Sequence, residues 1–195
     1  MLKVWARRHR DLSRARNRIV CRLHAVLCEL VPGGFAREIS AAQADQALAD
    51  IVPLGATAAA RLELAHELLD ELHNIDEQLR STKRRITRIV VVSKTTLTDL
   101  YGVGPIIAAT MLGYVGDIHR FASRDRFAAY NGTAPIEASS GSHIVHRLSR
   151  RGNRQLNHAI HIAAVTQIRT TAPPDASTTS ARSPKAWHAS PRCAP

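Results

Sequence analysis

Apolar residues return at helical intervals near the start of the chain. Between residues 3 and 30 one apolar position follows another every seven residues, and arginines fill many of the positions between them. This period predicts an amphipathic, strongly basic helix. A Pro-Gly-Gly segment at 32–34 predicts its end, because proline lacks an amide donor and paired glycines favour a turn. The apolar stripe consists of Leu12, Ile19 and Val26, with Leu23 and Leu30 beside it.

A longer apolar period runs from residue 58 to residue 92, after a short segment at 40–50 that also fits a helix. About four heptads pass here without proline or glycine, so we predict one continuous helix. At 1.5 Å per residue it would be about 50 Å long, which a small core does not cover. We therefore expect an antiparallel or coiled-coil partner, which is the first helix, a second copy of the chain, or both. The stripe consists of Ala65, Leu68, Leu72, Ile75, Leu79, Ile86 and Ile89.

After residue 93, glycines and prolines divide the chain into short segments, which indicates a compact module. The stretch 133–149 has too little periodicity to choose between a loop and a hairpin. Beyond residue 169 the apolar period ends, and a composition of Ala, Pro, Ser, Thr and Arg predicts a disordered tail. Because GC-rich codons give such a composition out of frame, we expect a frameshift there. Helices are predicted at residues 95–100, 105–115, 123–130 and 153–169.

Together these elements predict a mainly α fold in three parts. Linker or coiled-coil helices occupy residues 1–93, and a compact helical domain with a helix-hairpin-helix occupies residues 94–170. The disordered tail occupies residues 171–195. Aromatic residues make up only 4% of the chain, so we expect a core of Ala, Leu, Ile and Val.

The charge balance indicates the partner. The 195 residues include 27 Lys and Arg against 16 acids, which gives a formal net charge of +11 and a pI near 10.7. Such an excess is typical of proteins that bind nucleic-acid phosphates, although ribosomal proteins and membrane-surface binders share it. No apolar run approaches the ~20 residues that span a bilayer, so we expect no membrane partner and a cytoplasmic location.

The cysteines suggest little chemistry. Three of them are too few for a disulfide framework. Cys21, His24 and Cys28 share one helical face and are conceivable metal ligands, but they supply only three candidates on one helix. Helix packing is the alternative that we favour, so no metal site is predicted in this chain.

A glycine turn opens the compact module. Leu97 and Leu100 precede Gly102, Val103 and Gly104, and an apolar helix follows, which is the helix-hairpin-helix pattern. Two glycines let the backbone approach a ligand closely, and the first amides of the next helix can hold a phosphate without contacting a base. A tight structural turn between packed helices is the alternative.

Four arginines stand just before or at the start of the last predicted helix. Cations at this end of a helix oppose its dipole, so their presence indicates an external anion. A solvated charged face is the alternative. We expect backbone-directed binding that weakens steeply with salt. The four are Arg147, Arg150, Arg151 and Arg154.

A serine loop lies between the glycine turn and these arginines. Ser139 and Ser140 stand beside Gly141, in the arrangement that a phosphodiester-attacking serine needs, with an exposed hydroxyl and cations nearby. Serine and glycine also simply make loops, which is the alternative. If the three elements serve one function, we expect the glycine turn, the serine loop and the arginines to converge on one stretch of polynucleotide backbone.

Several sequence blocks between residues 102 and 164 are recognisable together. This run closely resembles the C-terminal transposase domain of the IS110 family of insertion sequences, including its IS116 and IS902 types. The upstream helices resemble the linker and coiled-coil region of the same family, so the resemblance covers roughly residues 2–169. The matching blocks are GVGP, GDIHRF, FAAYNGTAP, SSG and SRRGNRQLN.

The resemblance implies a DNA-recombining transposase with two contributors to its active site. One is an N-terminal RNase H-like domain whose acidic residues bind a divalent metal such as Mg²⁺. The other is a serine of the C-terminal domain, which falls on Ser140 here, with Ser139 as its neighbour. The implied partners are DNA and a structured bridge RNA that pairs with donor and target DNA.

The resemblance also marks a departure. The chain starts where the linker of the family starts, so we expect the acidic domain to be absent, with no cofactor in this chain and no autonomous strand transfer. The expected protein is thus a truncated copy that is inactive alone. A function of another class stays open, namely a stand-alone dimeric DNA-binding helix-hairpin-helix module without catalysis. The flanking nucleotide sequence separates the two, since an acidic domain encoded upstream in another frame favours the transposase.

Overall fold

The computed structural model of the chain describes residues 1–31, 33–34, 39–139, 143, 145–149 and 151–170, with only the backbone at Leu148 and Thr170. Within these ranges the fold is mainly α-helical, as the periodicity predicts. The tail predicted at 171–195 lies outside them. In chain order the elements are α1 (Leu2–Leu30), α2 (Ala41–Ala49), α3 (Ala56–Val92), α4 (Pro105–Val115), α5 (Arg124–Asn131), β1 (Pro135–Glu137), β2 (His146–Leu148) and α6 (Arg154–Thr170), with 3₁₀ turns at Thr96–Asp99 and Ile118–Arg120.

Most helices begin and end close to the predicted positions. Ser40 and Gln43 form a capping box, in which the Ser40 hydroxyl accepts from the Gln43 amide and the Gln43 side chain accepts from the Ser40 amide. The segment 95–100 is a short 3₁₀ turn rather than a longer helix, because threonines favour local caps over helix interiors. The ambiguous stretch 133–149 contains an antiparallel pairing of β1 with β2.

α1 and α3 form an antiparallel helical hairpin around the first hydrophobic cluster. The apolar stripes of the two helices face each other, and Leu23, Leu27 and Leu72 are completely buried. α2 covers the N-terminal half of α3 with Ala44 and Leu48. The apolar stripe of α3 is therefore covered within the chain. The first helix supplies part of this cover, which is one of the arrangements expected from the sequence.

Two ion pairs between α1 and α3 show that these helices run in opposite directions. Arg16 in the first half of α1 pairs with Asp76, and Glu29 at the end of α1 pairs with Arg61 near the start of α3. Position along α1 rises as position along α3 falls, so the helices run antiparallel. No helix in the described part of the chain is both long and apolar enough to cross a bilayer.

A second hydrophobic cluster joins the helical hairpin to the C-terminal module. α4 lies at its centre and contacts α1, α3 and α6. At Gly113 the contact is with backbone, because a Cβ built there would lie 2.6 Å from the amide nitrogen of Lys3. The first turn of α1 therefore rests directly on α4. The cluster consists of Ile86, Val90, Val103, Ala108, Ala109 and Ala163.

Two glycines fix the joint between α5 and α6. Gly132 ends α5 with φ +81°, a left-handed conformation that favours glycine. Gly152 lies so close to it that a Cβ built on Gly152 would overlap the Cα of Gly132. The amide of Asn153 then donates to the carbonyl of Tyr130 at 2.8 Å. The segment between β2 and α6 is thereby held against the end of α5.

We expect Leu72→Ala to lower the free energy of unfolding by about 2–5 kcal/mol, because the deletion removes buried apolar surface and leaves a cavity. Urea denaturation followed by circular dichroism measures the loss. Leu54→Ala is the control, since Leu54 is 89% exposed, and its effect should stay within about 0.5 kcal/mol. Equal losses from the two substitutions would contradict the core of the helical hairpin.

Gly152→Ala should destabilise the fold by about 1–3 kcal/mol, because the added methyl group meets backbone that has no room to move aside. Gly104→Ala is the matched control for stability, as nothing lies within 4 Å of a Cβ at Gly104 and its φ is −76°. Thermal unfolding of both variants makes the comparison. An unchanged melting temperature for Gly152→Ala would show that the two glycines are not in contact.

Candidate nucleic-acid interface

Exposed arginines gather around the start of α6. Arg147 lies on β2, Arg151 in the following loop and Arg154 in the first turn of α6, and all three side chains are exposed. Among the described residues, none of the three has a carboxylate within ion-pair distance. Arg150, the fourth predicted residue, lies outside the described part of the chain. An external anion would stabilise these cations, because the adjacent helix end is itself positive.

Asn153 holds this region in shape. Its side-chain oxygen accepts hydrogen bonds from the amides of Gln155 and Leu156, both at 3.2 Å, and so caps α6. Its side-chain nitrogen donates to the hydroxyl of Tyr130 at 3.2 Å, and that hydroxyl donates to the carbonyl of Tyr114 at 3.0 Å. One asparagine therefore links the arginine-bearing segment to α5 and α4.

An aromatic cluster stands behind Tyr130. The ring of Phe121 meets that of Phe127 edge-on, with 5.3 Å between centroids, and lies 5.2 Å from the ring of Tyr130. The guanidinium of Arg120 stacks over Phe121 at 4.5 Å and over Tyr130 at 4.6 Å. The hydrogen bond from Asn153, assisted by the hydrogen bond and positive charge of Arg120, lowers the pKa of Tyr130 from its ordinary value. The surroundings of this hydroxyl thus favour negative charge.

The serine loop stands at the tip of the two-stranded hairpin. The Ser139 hydroxyl donates to the Glu137 carboxylate at 2.8 Å, and both side chains are exposed. Arg147 pairs with Ile136 across the strands, so Ser139 lies about 10 Å beyond Arg147 along the hairpin at ~3.3 Å per residue. Ser140, the predicted nucleophile, lies outside the described residues. The hairpin therefore carries both Ser139 and Arg147.

The glycine turn packs on the other end of α6. Gly102 has φ +82°, and a Cβ built there would lie 2.8 Å from the carbonyl oxygen of Ala163, so both conformation and packing require glycine. The Gln167 side chain donates to the carbonyl of Tyr101 at 2.8 Å. Gly104 precedes α4, which has no side-chain cap. Pro105, the first residue of α4, has no amide N–H, so the donors without a side-chain cap are the amides of Ile106 and Ile107, as a phosphate site requires.

Of the predicted elements, Ser139 and Arg147 lie on one β-hairpin, whereas the glycine turn lies against Ala163 and Thr166 on α6. These two residues are about 14 and 18 Å along α6 from Arg154. A single phosphate does not contact both ends of α6, but a backbone that follows the helix over about five base-pair steps of 3.4 Å reaches both. Val103, between the two glycines, is buried in the second cluster and packs there.

No three His, Cys, Asp or Glu side chains among the described residues are placed to share a metal ion. On α1, the Sγ of Cys28 lies 3.8 Å from Nδ1 of His24, and Cys21 is exposed. Asp117 caps a 3₁₀ turn and Asp125 stands in the first turn of α5, which are structural positions. These residues do not form the acidic set that the resemblance implies.

The sequence singled out the arginines and glycines of this interface but not the residues that support them. Asn153 and Tyr130 form one hydrogen-bonded unit although 23 positions separate them. The signal available in the sequence was the Gly-Asn pair directly before a predicted helix, since asparagine is a favoured N-cap residue. The partner on α5 carries no such local signal.

A family model described as the Transposase IS116/IS110/IS902 family matches residues 94–179. This range contains the glycine turn, the serine hairpin and α6. Curated proteins of insertion elements are also similar in sequence. An IS900 protein of Mycobacterium paratuberculosis is 35% identical over 138 residues, and an IS116 protein of Streptomyces clavuligerus is 29% identical over 140 residues. An IS110 protein of Streptomyces coelicolor is 35% identical over 100 residues.

The coverage of these alignments is unequal on the two sides. The alignment with the IS900 protein covers 67% of this chain and 33% of the relative. The corresponding shares are 68% and 33% for the IS116 protein, and 50% and 25% for the IS110 protein. The chain thus spans a third or less of the length of these curated relatives. The two longer alignments extend beyond the module into the upstream helices. The family model matches residues 94–179, and together with these relatives it identifies this part of the chain as a member of the IS116/IS110/IS902 family of transposases.

Proposed function

We propose that this chain is the DNA-backbone-binding, C-terminal part of a transposase that moves an insertion sequence by DNA recombination. The observation that carries the proposal is the group of exposed arginines at the start of α6, which have no carboxylate partner among the described residues. The match of residues 94–179 to a transposase family supports DNA as the polyanion, since transposition acts on DNA. The arginines and the glycine turn contact phosphates rather than bases, so this part binds without choosing a sequence.

The contacts divide between the two ends of α6. At its start, Arg147, Arg151 and Arg154, with Arg150 between them, contact phosphates of one stretch of backbone. At its far end, the amides of Ile106 and Ile107, which follow Pro105, hold a phosphate at the N-terminus of α4. The Gly132–Gly152 contact and the Asn153 hydrogen bonds keep the first group in place.

Ser140 is the proposed nucleophile. Its Oγ attacks the phosphorus of a scissile phosphodiester, so that an O–P bond to serine forms while the P–O bond to one deoxyribose breaks. The serine proton passes to the departing sugar oxygen through a general acid and base. Attack by the hydroxyl of another strand end reverses the step and rejoins the DNA, with no net change in the number of phosphodiester bonds. The arginines stabilise the charge of the pentacovalent phosphate.

Ser139 is the second candidate nucleophile because of one specific contact. Its hydroxyl already donates to the carboxylate of Glu137 at 2.8 Å, which is the geometry of a nucleophile with an adjacent base. The family resemblance favours Ser140, the serine directly before Gly141. The two assignments differ in the role of Glu137, which accepts the proton only if Ser139 reacts.

The remaining partners follow from the resemblance. A bridge RNA would select donor and target DNA by base pairing, in keeping with the backbone-directed contacts proposed here. Divalent metal chemistry would belong to an acidic domain outside the matched third of the relatives, and this chain would be inactive alone. A cytoplasmic location is proposed with it. A second copy would contact the outer, polar faces of the long helices, since the apolar stripe of α3 is covered within the chain.

Purified chain should bind duplex DNA with an affinity that falls steeply with salt. The triple variant Arg147→Gln, Arg151→Gln and Arg154→Gln should lower the slope of log affinity against log salt by about 2.7, since each lost phosphate contact in B-DNA contributes about 0.9. Fluorescence anisotropy with a labelled duplex measures both slopes. If the triple variant has the same slope as the wild-type chain, the arginines at the start of α6 do not contact DNA.

Ser140→Ala, placed in a whole transposase that contains this domain, should abolish strand transfer while DNA binding persists, because only the reacting oxygen is lost. Ser139→Ala is the matched neighbour and should keep most of the activity. A recombination assay on a plasmid carrying both element ends, with a gel-shift control, separates the two. Loss of activity from Ser139→Ala and not from Ser140→Ala would transfer the role to Ser139 and Glu137.

A further inference from the structure

α3 is sharply divided by charge. Residues 61–77 contain six acids and one arginine, whereas residues 78–92 contain five cations and no acid. The antiparallel packing places the cationic half of α3 beside the first half of α1, which is also basic. The cations in this half of α3 are Arg80, Lys83, Arg84, Arg85 and Arg88, and those in the first half of α1 are Lys3, Arg7, Arg8, Arg10, Arg14 and Arg16, beside the single acid Asp11.

The fold itself does not account for this accumulation. Arg80, Arg84 and Arg88 follow at intervals of four residues, where like charges repel on a helix surface. The helix dipole favours cations only in the last turn, and the last turn of α3 contains none. Arg80 pairs with Glu77 at 2.9 Å. Arg84 and Arg88 are exposed and, within the described ranges, have no carboxylate in ion-pair distance.

A groove between α1 and α3 gathers part of this charge. The guanidinium of Arg85 stacks on the ring of Trp5, 4.3 Å from its centroid, which fixes the plane of the guanidinium and leaves its N–H edge available. Arg8 donates to the side-chain oxygen of Gln78 at 2.7 Å from the opposite wall. The groove is lined by these two arginines and the indole, by Glu77, whose carboxylate pairs with Arg80, and by the neutral side chains of Gln78, Ser81 and Thr82. Planar donors of this kind suit phosphate oxygens.

One half-buried histidine near this surface also lies within reach of its charge. The pKa of His9 is lowered from its ordinary value, first by burial and then by the charge of Lys83 on α3. Both effects disfavour a further positive charge between α1 and α3. A polyanion docked on this end of the helical hairpin would relieve the repulsion that the chain leaves uncompensated.

We propose that Arg8, Arg84, Arg85 and Arg88, here called the hairpin basic surface, bind the phosphate backbone of double-stranded DNA. This contact is separate from the arginines at the start of α6, and it rests on the proposed function only for the choice of DNA. The cations from Arg80 to Arg88 extend about 12 Å along α3, which matches three or four base-pair steps of 3.4 Å. The other occupant of complementary charge is the acidic half of α3 in a second copy.

The test uses two pairs of exposed arginines with the same spacing. Arg84→Gln with Arg88→Gln removes two cations of the hairpin basic surface, and Arg18→Gln with Arg22→Gln removes two from the half of α1 that lies beside the acidic half of α3. The first variant should lower the slope of log affinity against log salt by about 1.8. Between about 50 and 200 mM salt its affinity should therefore fall by a factor roughly ten times smaller than that of the wild-type chain. The second variant should match the wild-type chain. Arg84→Lys with Arg88→Lys should keep the slope, which excludes a folding defect.

The outcomes separate this inference from the proposed function. If only the α6 triple variant changes the slope, the hairpin basic surface does not bind DNA and the proposed function stands. If only the Arg84 and Arg88 variant changes it, the surface binds and the α6 contact is wrong. If the Arg18 and Arg22 control lowers the slope equally, the effect comes from the net charge of the chain and the inference is overturned.

Two further measurements decide the occupant. Sedimentation equilibrium of the Arg84→Gln, Arg88→Gln variant should give the same mass as the wild-type chain. A wild-type dimer that dissociates in the variant, with an unchanged salt slope, would assign the surface to a second copy. Anisotropy with duplex RNA of equal length should show no stronger dependence on these arginines than duplex DNA. If the variant changes the slope with duplex RNA and not with duplex DNA, the ligand of this surface is RNA and the inference is wrong.

Discussion

The length of α3 is the constraint on which the rest of the structure depends. A 37-residue helix with one continuous apolar stripe needs cover along about 55 Å. α1 and α2 cover its first half through the leucines of the first cluster, and α4 with the start of α1 covers its end. The same requirement therefore closes the helical hairpin and attaches the C-terminal module to it. α4 contacts three helices because it completes this cover.

How much the sequence predicted depended on the distance between the residues involved. The heptads of α1 and α3 and the glycines that divide the C-terminal module are local signals, and the structure has helices where they predict them. The overlap of Gly132 with Gly152 and the stacking of Arg85 on Trp5 join residues from different helices. No period or spacing encodes such pairs, because they exist only after α1 meets α3 and α5 meets α6.

The expectation of one convergent site shows the same limit. Ser139 and Arg147 lie on one β-hairpin because β1 pairs with β2, and α6 is the next helix along the chain. The glycine turn reads as part of the same site, but Gly102 is held against Ala163 near the other end of that helix. α6 therefore separates elements that a linear reading places together. Within the block SRRGN, Gly152 and Asn153 position the chain and the arginines remain exposed.

The uneven charge of α3 has a mechanical consequence. A rod whose two halves carry opposite charge experiences a torque in the field of a polyanion, as well as an attraction. Near a duplex, the acidic half that α2 covers would swing outward and the cationic half, with the module attached to it, would swing inward. The molecule would thus take a preferred orientation while it is still about one Debye length from the duplex, before any side chain contacts a phosphate.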